Sequence, residues 1–542
     1  MPGTDRVARP HPVTGRMSRA ARVMLTAIVV GAVTLRVGYV WWASANGVTW
    51  IDPDHYLGQG RLLADGHAVE AFRYRADFLK APLYTVLLGL CAWFPGRYPE
   101  NALVAQAVLG GLAAAGLFSL TRRLAGTGIA LFSAAAYAAY FPSVVSLVAV
   151  RQEQVYIPLL ILAFAVLARA IDAGARFGAM SIAGAAFGLA ALARSMPLYF
   201  VAAAAGAMLF SAGRSGRREA AGLIAGFAAI ALPFTLWISH EVGRLVLIEN
   251  IGSYGLAVLS PDGREYFSGE TPTLISTGAF LWHRLAVAPF AYLGELAEIA
   301  IGLFRLPGGS WLLELRFLPR ASDAWAMKAA AHLTGDLVLV SAMCLAPLGL
   351  IARRPTRLAG LLGLWIVVHV TFTALSGYSG HRFRSPLDFA LIALAASALA
   401  GGWRPLSARR GLLALLVVVP MVLGAARSIG DSLQVRAPYG VLEWPEDPRL
   451  PPTRVRAHSG FQVMSSEGRI LILVARANDE GPNGPWTVGA TVDRVPVARI
   501  SVDAGFSVLS APYPTPRAFV ELDVTDVVPP GTTEPQLLLS TR

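Results

Sequence analysis

Charge is scarce in this chain: 15% of its 542 residues are Asp, Glu, Lys or Arg, against 55% hydrophobic types, and the mean hydropathy is +0.54. A soluble domain of that composition would have too little polar surface to cover itself, so the soluble globular class is excluded first. Cysteine is nearly absent. Cys91 and Cys344 both sit inside apolar stretches, which excludes a disulfide framework and a cysteine metal knuckle. The apolar runs also lack strict two-residue alternation. They are apolar on every face, which excludes a membrane β-barrel and leaves helices. No repeat of solenoid period is evident.

What is there is a series of apolar runs near the length a helix needs to cross a hydrocarbon core of roughly 30 Å. They fall near 23–42, 102–120, 129–149, 154–168, 177–193, 197–212, 219–239, 333–352, 358–375, 386–402 and 411–426. The segments 82–96 and 279–304 are apolar but read as re-entrant or juxtamembrane, so the count is about 11 to 13 spans. The net charge of +12 does not point to nucleic acid, because the arginines form short clusters between apolar runs. Arg122 and Arg123, Arg169 and Arg176, Arg214, Arg217 and Arg218, Arg353, Arg354 and Arg357, and Arg404, Arg409 and Arg410 follow alternate spans and mark cytoplasmic loops.

That assignment places a first loop (43–80), a large loop (240–331), the segment 376–385 and the C-terminal tail on the outer side. Residues 1–19 form a cytoplasmic tail. The basic residues before Val23 resemble a signal peptide, but the run that follows is long and ends in Trp41 and Trp42, an interfacial anchor, so it reads as a retained first span. Arg36 near its outer end is expected to snorkel or to reach the active site. The Ala- and Arg-rich composition suggests a bacterial plasma (inner) membrane. After Arg427 the runs become short, rich in β-branched residues and separated by turn signals such as NDEGPNG. The fold expected is an all-α multi-pass membrane bundle over 20–427 with a small β-sandwich-like extracytoplasmic domain over 430–542.

Chemistry concentrates in the first outer loop. WIDPDHYLGQG places Asp52, Asp54 and His55 directly after a span, where carboxylates are costly unless solvated or paired, so a wet cavity at the bilayer surface is expected. Either Asp could instead be a helix N-cap, a role that capping preference gives more readily to Asp54. Lys80, where the loop re-enters apolar surroundings, can reach a phosphate at headgroup depth or serve as an interfacial anchor. Arg382 and Arg384 run against the positive-inside trend; they are headgroup anchors or serve another purpose. The spacing of Asp52, Asp54 and His55 is no recognised closed metal site, and neither a metal nor another cofactor is predicted.

Together these segments resemble the GT-C superfamily of polyprenyl-phosphate-sugar-dependent glycosyltransferases, in the branch of the protein O-mannosyltransferases and the aminoarabinose transferases. Asp52 followed four residues later by Tyr56 matches a family pattern after the first span. Lys80, Ala81, Pro82 and Leu83 match its Lys-Pro-Pro-Leu segment with Ala for Pro, and Arg382, Phe383, Arg384, Ser385, Pro386 and Leu387 match a late Arg-Tyr-Arg-x-Pro-Leu segment with Phe for Tyr. Arg151 and Glu153 are similar to a family position where a Glu begins a span. The tail after Arg427 is not covered.

The resemblance implies a donor sugar carried on a polyprenyl phosphate and attack by an acceptor hydroxyl with inversion. It implies Asp52, with Asp54, as the acceptor-orienting carboxylate, and Lys80, Arg382 and Arg384, with His381, as the phosphate clamp. Tyr56, Arg151, Glu153, Asn250 and Tyr254 are candidates for substrate contacts, the last two because long outer loops often bind. The partners implied are the lipid bilayer, the donor lipid, and a glycan, lipid or protein acceptor. The rival classes are a transporter or flippase of lipid-linked sugars, which tends to place ionisable residues at the midplane of paired halves, and a non-catalytic scaffold with a binding tail.

Overall fold

The computed structural model describes residues 17–45, 52, 54–74, 78–94, 97–211, 213–254, 256, 261–267, 271–304, 324–351, 356–378, 381–400 and 421–426, together with eight strands of the tail. In order the helices are α1 (Arg19–Ala45), α2 (Tyr56–Ala64), α3 (Ala68–Phe72), α4 (Pro82–Trp93), α5 (Glu100–Ala125), α6 (Thr127–Ala138), α7 (Phe141–Val145), α8 (Glu153–Asp172), α9 (Phe177–Ala193), α10 (Met196–Ser211), α11 (Gly213–Val242), α12 (Ile251–Tyr254), α13 (Pro261–Phe267), α14 (Leu274–Val287), α15 (Pro289–Leu303), α16 (Ala324–Ile351), α17 (Arg357–Leu375) and α18 (His381–Ala400). A short hairpin, β1 (Arg73–Tyr74) with β2 (Phe78–Leu79), precedes α4. This is a multi-pass membrane helical bundle. Among the described residues six helices are long and apolar enough to cross a bilayer, seven if the pair α14 and α15, bent by 117°, counts as one span.

The apolar runs predicted from sequence fall on these helices with two informative differences. The run 129–149 is not one helix: α6 stops at Ala138, and the chain turns at Tyr140 before α7. Arg36, which is 1% exposed, reaches this end of α6 and donates to the carbonyl of Ala138 at 2.8 Å, to that of Tyr137, which also accepts the Tyr140 amide, at 3.3 Å, and to Ser143 Oγ at 2.8 Å. Arg36 therefore neither snorkels nor lines the proposed active site; it supplies a cation to the negative end of a broken helix. The run 279–304 is the bent pair α14 and α15, and the run 411–426 lies outside the described residues except for 421–426.

In a bilayer apolar side chains gain little by leaving lipid, so helix association rests on close packing and small residues. α9 and α11 show this best. A Cβ on Gly226 would lie 1.8 Å from the Ser181 carbonyl oxygen, and one on Gly184 would lie 2.1 Å from that of Leu223. Only glycine permits backbones that close. Beside them the interior is aromatic: Phe164 packs with Phe187 and Phe200 at 5.1 Å between ring centroids and with Trp365 at 6.0 Å. Many large apolar side chains of α1, among them Val23, Val30 and Trp41, point outward instead, as lipid-facing residues do.

The chain divides into two compact units, the second comprising 307–331 and 426–542. The second unit contains β3 (Tyr439–Glu443), β4 (Arg454–Met464), β5 (Arg469–Arg476), β6 (Trp486–Val492), β7 (Val495–Val502), β8 (Ser507–Pro512), β9 (Arg517–Val524) and β10 (Gln536–Ser540). They form one hydrogen-bonded sheet in the order β7-β6-β9-β4-β10-β5-β8, with β3 also on β4, and every pairing is antiparallel. The run VARISVDAGFSVL breaks into β7 and β8, which pair with different neighbours. The strands expected from sequence are present; a second sheet facing this one, as a sandwich requires, is not among the described residues.

Candidate active site

The turn Asp52 to Tyr56 is wound tightly, with His55 in the left-handed region at φ 58°, an uncommon conformation outside glycine. This winding brings the Asp52 carboxylate to the start of α2, where its two oxygens accept the amides of Tyr56 and Leu57, both at 2.8 Å. The N-cap position itself is His55, so neither aspartate holds it; the side chain that accepts the first amides of α2 is that of Asp52 and not of Asp54. A carboxylate has about four lone-pair sites, so two amides orient Asp52 without exhausting it.

Asp54 is committed differently. Its carboxylate takes the Arg382 guanidinium at 2.5 Å, while Arg382 Nε donates to Glu153 Oε1 at 2.9 Å. Arg194 donates to the same Glu153 oxygen at 2.6 Å. The chain Asp54, Arg382, Glu153, Arg194 thus joins the first loop, the start of α18, the start of α8 and the end of α9. Glu153 and Arg194 are almost covered, whereas the Arg382 and Asp54 side chains keep 24% and 20% of their surface, enough for a ligand to touch. The Phe383 ring lies 5.2 Å from the Arg194 guanidinium carbon and 5.6 Å from that of Arg382, a spacing that favours cations.

Lys80, 3% exposed, leaves the hairpin and turns its ammonium to the Asp54 carbonyl oxygen and, at 3.2 Å, to Gln59 Oε1. The ammonium also lies 3.8 Å from the Tyr56 ring centroid and 4.5 Å from that of Tyr74. Burial is the main cause that brings its pKa down to about 8; Arg382 adds to the fall, and Asp54, Asp52 and Glu249 oppose it. Burial, reinforced by Asp54, Glu249 and Glu153, holds the Tyr56 hydroxyl well above the usual phenol value, and it donates to Gln152 Oε1 at 2.5 Å.

Asp52, Asp54, Tyr56, Lys80, Glu153 and Arg382 are thus gathered around one place. Arg384 is not a member of this group. It is 1% exposed and donates to Asp388 Oδ1 at 3.1 Å on its own helix, and Asp388 also accepts the Tyr140 hydroxyl at 3.1 Å. Arg151 is half-buried two residues before Glu153. Asn250 faces protein backbone: its side-chain oxygen accepts from the Leu79 amide at 2.6 Å, and its own amide donates to the Leu79 carbonyl at 3.2 Å. The side chains of His381 and Tyr254 lie outside the described residues.

Sequence reasoning passed over Gln59, Gln152, Arg194, Ser195 and Glu249. Arg194 had a signal of its own, a charge in the three-residue break between two long apolar runs. Among the described residues no group of three or more His, Cys, Asp and Glu is placed to hold a metal ion.

Residues 80–238, less than a third of the chain, match the family model for dolichyl-phosphate-mannose-protein mannosyltransferase. No curated protein sequence matches the chain. Among solved structures, ArnT from Cupriavidus metallidurans bound to undecaprenyl phosphate is 17% identical with a TM-score of 0.39, covering 73% of this chain and 62% of that one. The oligosaccharyltransferase of Archaeoglobus fulgidus in its apo form is 17% identical with a TM-score of 0.40, covering 75% and 56%. AglB from the same organism, in complex with an inhibitory peptide and a dolichol-phosphate, is 17% identical with a TM-score of 0.36, covering 76% and 56%. The chain spans under two thirds of the length of each.

Proposed function

We propose that this protein is a membrane glycosyltransferase that moves a sugar from a polyprenyl-phosphate carrier to an acceptor hydroxyl, with inversion, on the extracytoplasmic face of a bacterial plasma membrane. The observation that carries the reading is the meeting of Lys80 and Arg382, from segments distant in the sequence, beside Asp52 and Asp54. The family match over 80–238 supports it, since that segment begins at Lys80 and contains Glu153 and Arg194.

The reaction places two demands on the protein. As the acceptor oxygen bonds to the anomeric carbon and the bond from that carbon to the phosphate oxygen breaks, a proton must leave the acceptor, and negative charge grows on the departing lipid phosphate. Asp52, oriented by two backbone amides, receives the proton. Arg382 and Lys80 meet the phosphate charge: Arg382 offers a planar fork that can exchange Asp54 for phosphate oxygens, and Lys80 offers a compact charge. Asp54 and Glu153 hold Arg382 in position until then. Arg384 is reassigned from the clamp to the support of the bundle.

The test is transfer by purified protein in lipid nanodiscs, supplied with polyprenyl-phosphate sugars and a mixture of glycan, lipid and peptide acceptors, with products read by mass spectrometry. Formation of a glycosylated acceptor with release of the lipid phosphate is expected. In a parallel assay in sealed proteoliposomes, movement of the intact donor across the membrane without transfer would replace the enzyme with a flippase.

A further inference from the structure

Glu249 follows α11 in the loop that leads to α12, and nothing in its sequence neighbourhood sets it apart. Its carboxylate joins two distant parts of the site. One oxygen accepts the Ser195 amide at 2.8 Å and the Ser195 hydroxyl at 2.7 Å, and the other accepts the Ala81 amide at 3.3 Å. Ser195 immediately precedes α10 and Ala81 immediately precedes α4, so the anion lies at the positive ends of two helices. The residue before Ser195 is Arg194 and the residue before Ala81 is Lys80. Asn250 completes the hold with its two hydrogen bonds to Leu79. The dipeptide therefore grips the backbone on both sides of Lys80 and next to Arg194.

We infer that Glu249 is a positioning residue, which fixes the spacing of Lys80 and of the Arg194–Glu153–Arg382 chain around the donor phosphate. The inference rests on the proposed donor. A charge-assisted hydrogen bond to the phosphate is worth roughly ten- to a hundredfold in affinity, so loss of the tie that places Lys80 and Arg194 is felt at the phosphate. Glu249 also bears on Lys80 through charge: the groups that face the ammonium are Asp54, Asp52, Glu249, Arg382, the Tyr56 and Tyr74 rings and Gln59. Removing one of three carboxylates lowers the pH at which Lys80 gives up its proton.

The experiment uses the full chain in nanodiscs with undecaprenyl phosphate as the probe, measuring its dissociation constant across the neutral and alkaline range for the unaltered protein, Glu249→Gln and Glu249→Ala. Binding is expected to weaken roughly ten- to a hundredfold in Glu249→Ala and less in Glu249→Gln, which keeps one acceptor oxygen. The alkaline midpoint is expected to move to lower pH in Glu249→Gln, a change that a merely structural role would not produce. Thermal unfolding of each variant identifies one that fails to fold, and Glu249→Gln, nearly the same shape, keeps the comparison open if Glu249→Ala is lost. Equal affinity and an unmoved midpoint in Glu249→Gln overturn the inference while leaving the donor reading intact. If the unaltered protein does not bind undecaprenyl phosphate at any pH, the donor reading fails and the inference falls with it.

Discussion

Arg382 and Arg384 stand two residues apart on one helix, carry the same charge and come from the same motif, yet they live in different surroundings. Arg382 is shared between two carboxylates brought from two other segments and keeps part of its surface open. Arg384 is closed in, with a carboxylate one turn along its own helix and a tyrosine hydroxyl beyond it. Two residues along an α-helix turn a side chain by about 200°, which separates the two faces. An ion pair made between segments can be exchanged for a ligand at little structural cost. One made within a buried helix cannot, because removing either partner strands a charge. On the proposed reaction the motif divides its labour, one arginine for the donor phosphate and one for the bundle.

The comparison can be broken in four ways, beginning with the largest effect. Asp52→Asn keeps the shape and part of the hold on the α2 amides but removes the proton acceptor. Transfer should fall about 10²- to 10⁴-fold with membrane insertion unchanged, read by single-turnover transfer on purified protein. Transfer near the original rate would remove Asp52 from the chemistry. Next, Arg384→Met should lower stability by about 3–5 kcal/mol, seen as a lower unfolding midpoint, and pairing it with Asp388→Leu should recover most of that loss. If the single change instead left stability intact and raised the KM for donor, the division of labour would be reversed.

Arg382→Lys tests the other side. The charge remains but the fork is lost, so the KM for donor should rise roughly ten- to a hundredfold while the unfolding midpoint moves little. The smallest expected effect concerns pH. Lys80 has a lowered pKa of about 8 and is charged below that value, so donor affinity should be full there and fall roughly tenfold for each pH unit above it. Lys80→Arg should remove this fall, because guanidinium does not titrate in the range; an unchanged profile would separate Lys80 from the phosphate.

Much of the bundle was legible in the sequence because apolar length is a one-dimensional signal. Runs such as 177–193 and 358–375 reappear closely as α9 and α17. The run 129–149 misled because hydropathy registers apolar content and not hydrogen bonding. At its break near Tyr140 the Ala138 carbonyl is met by Arg36, more than a hundred residues earlier. The same holds at the site. Asp52, Lys80 and Arg382 stood out by type and by position against the topology bias, but which arginine of Arg-Phe-Arg turns to the site is a matter of helix phase. Which aspartate accepts the first amides of α2 was decided by the left-handed turn at His55, which residue preference does not foresee. Glu249 had no local signal, since its significance arises only from the two helix starts it meets.

The glycine contact between α9 and α11 has a consequence for how this molecule tolerates change. One of these helices leads into Arg194 and the other into the loop bearing Glu249. Because their backbones touch at Gly184 and Gly226, the two helices act as a single gauge block whose far end sets a distance inside the site. An alanine at either glycine would thicken that block, and on the proposed reaction the defect would emerge as slower transfer with Asp52, Lys80 and Arg382 all in place.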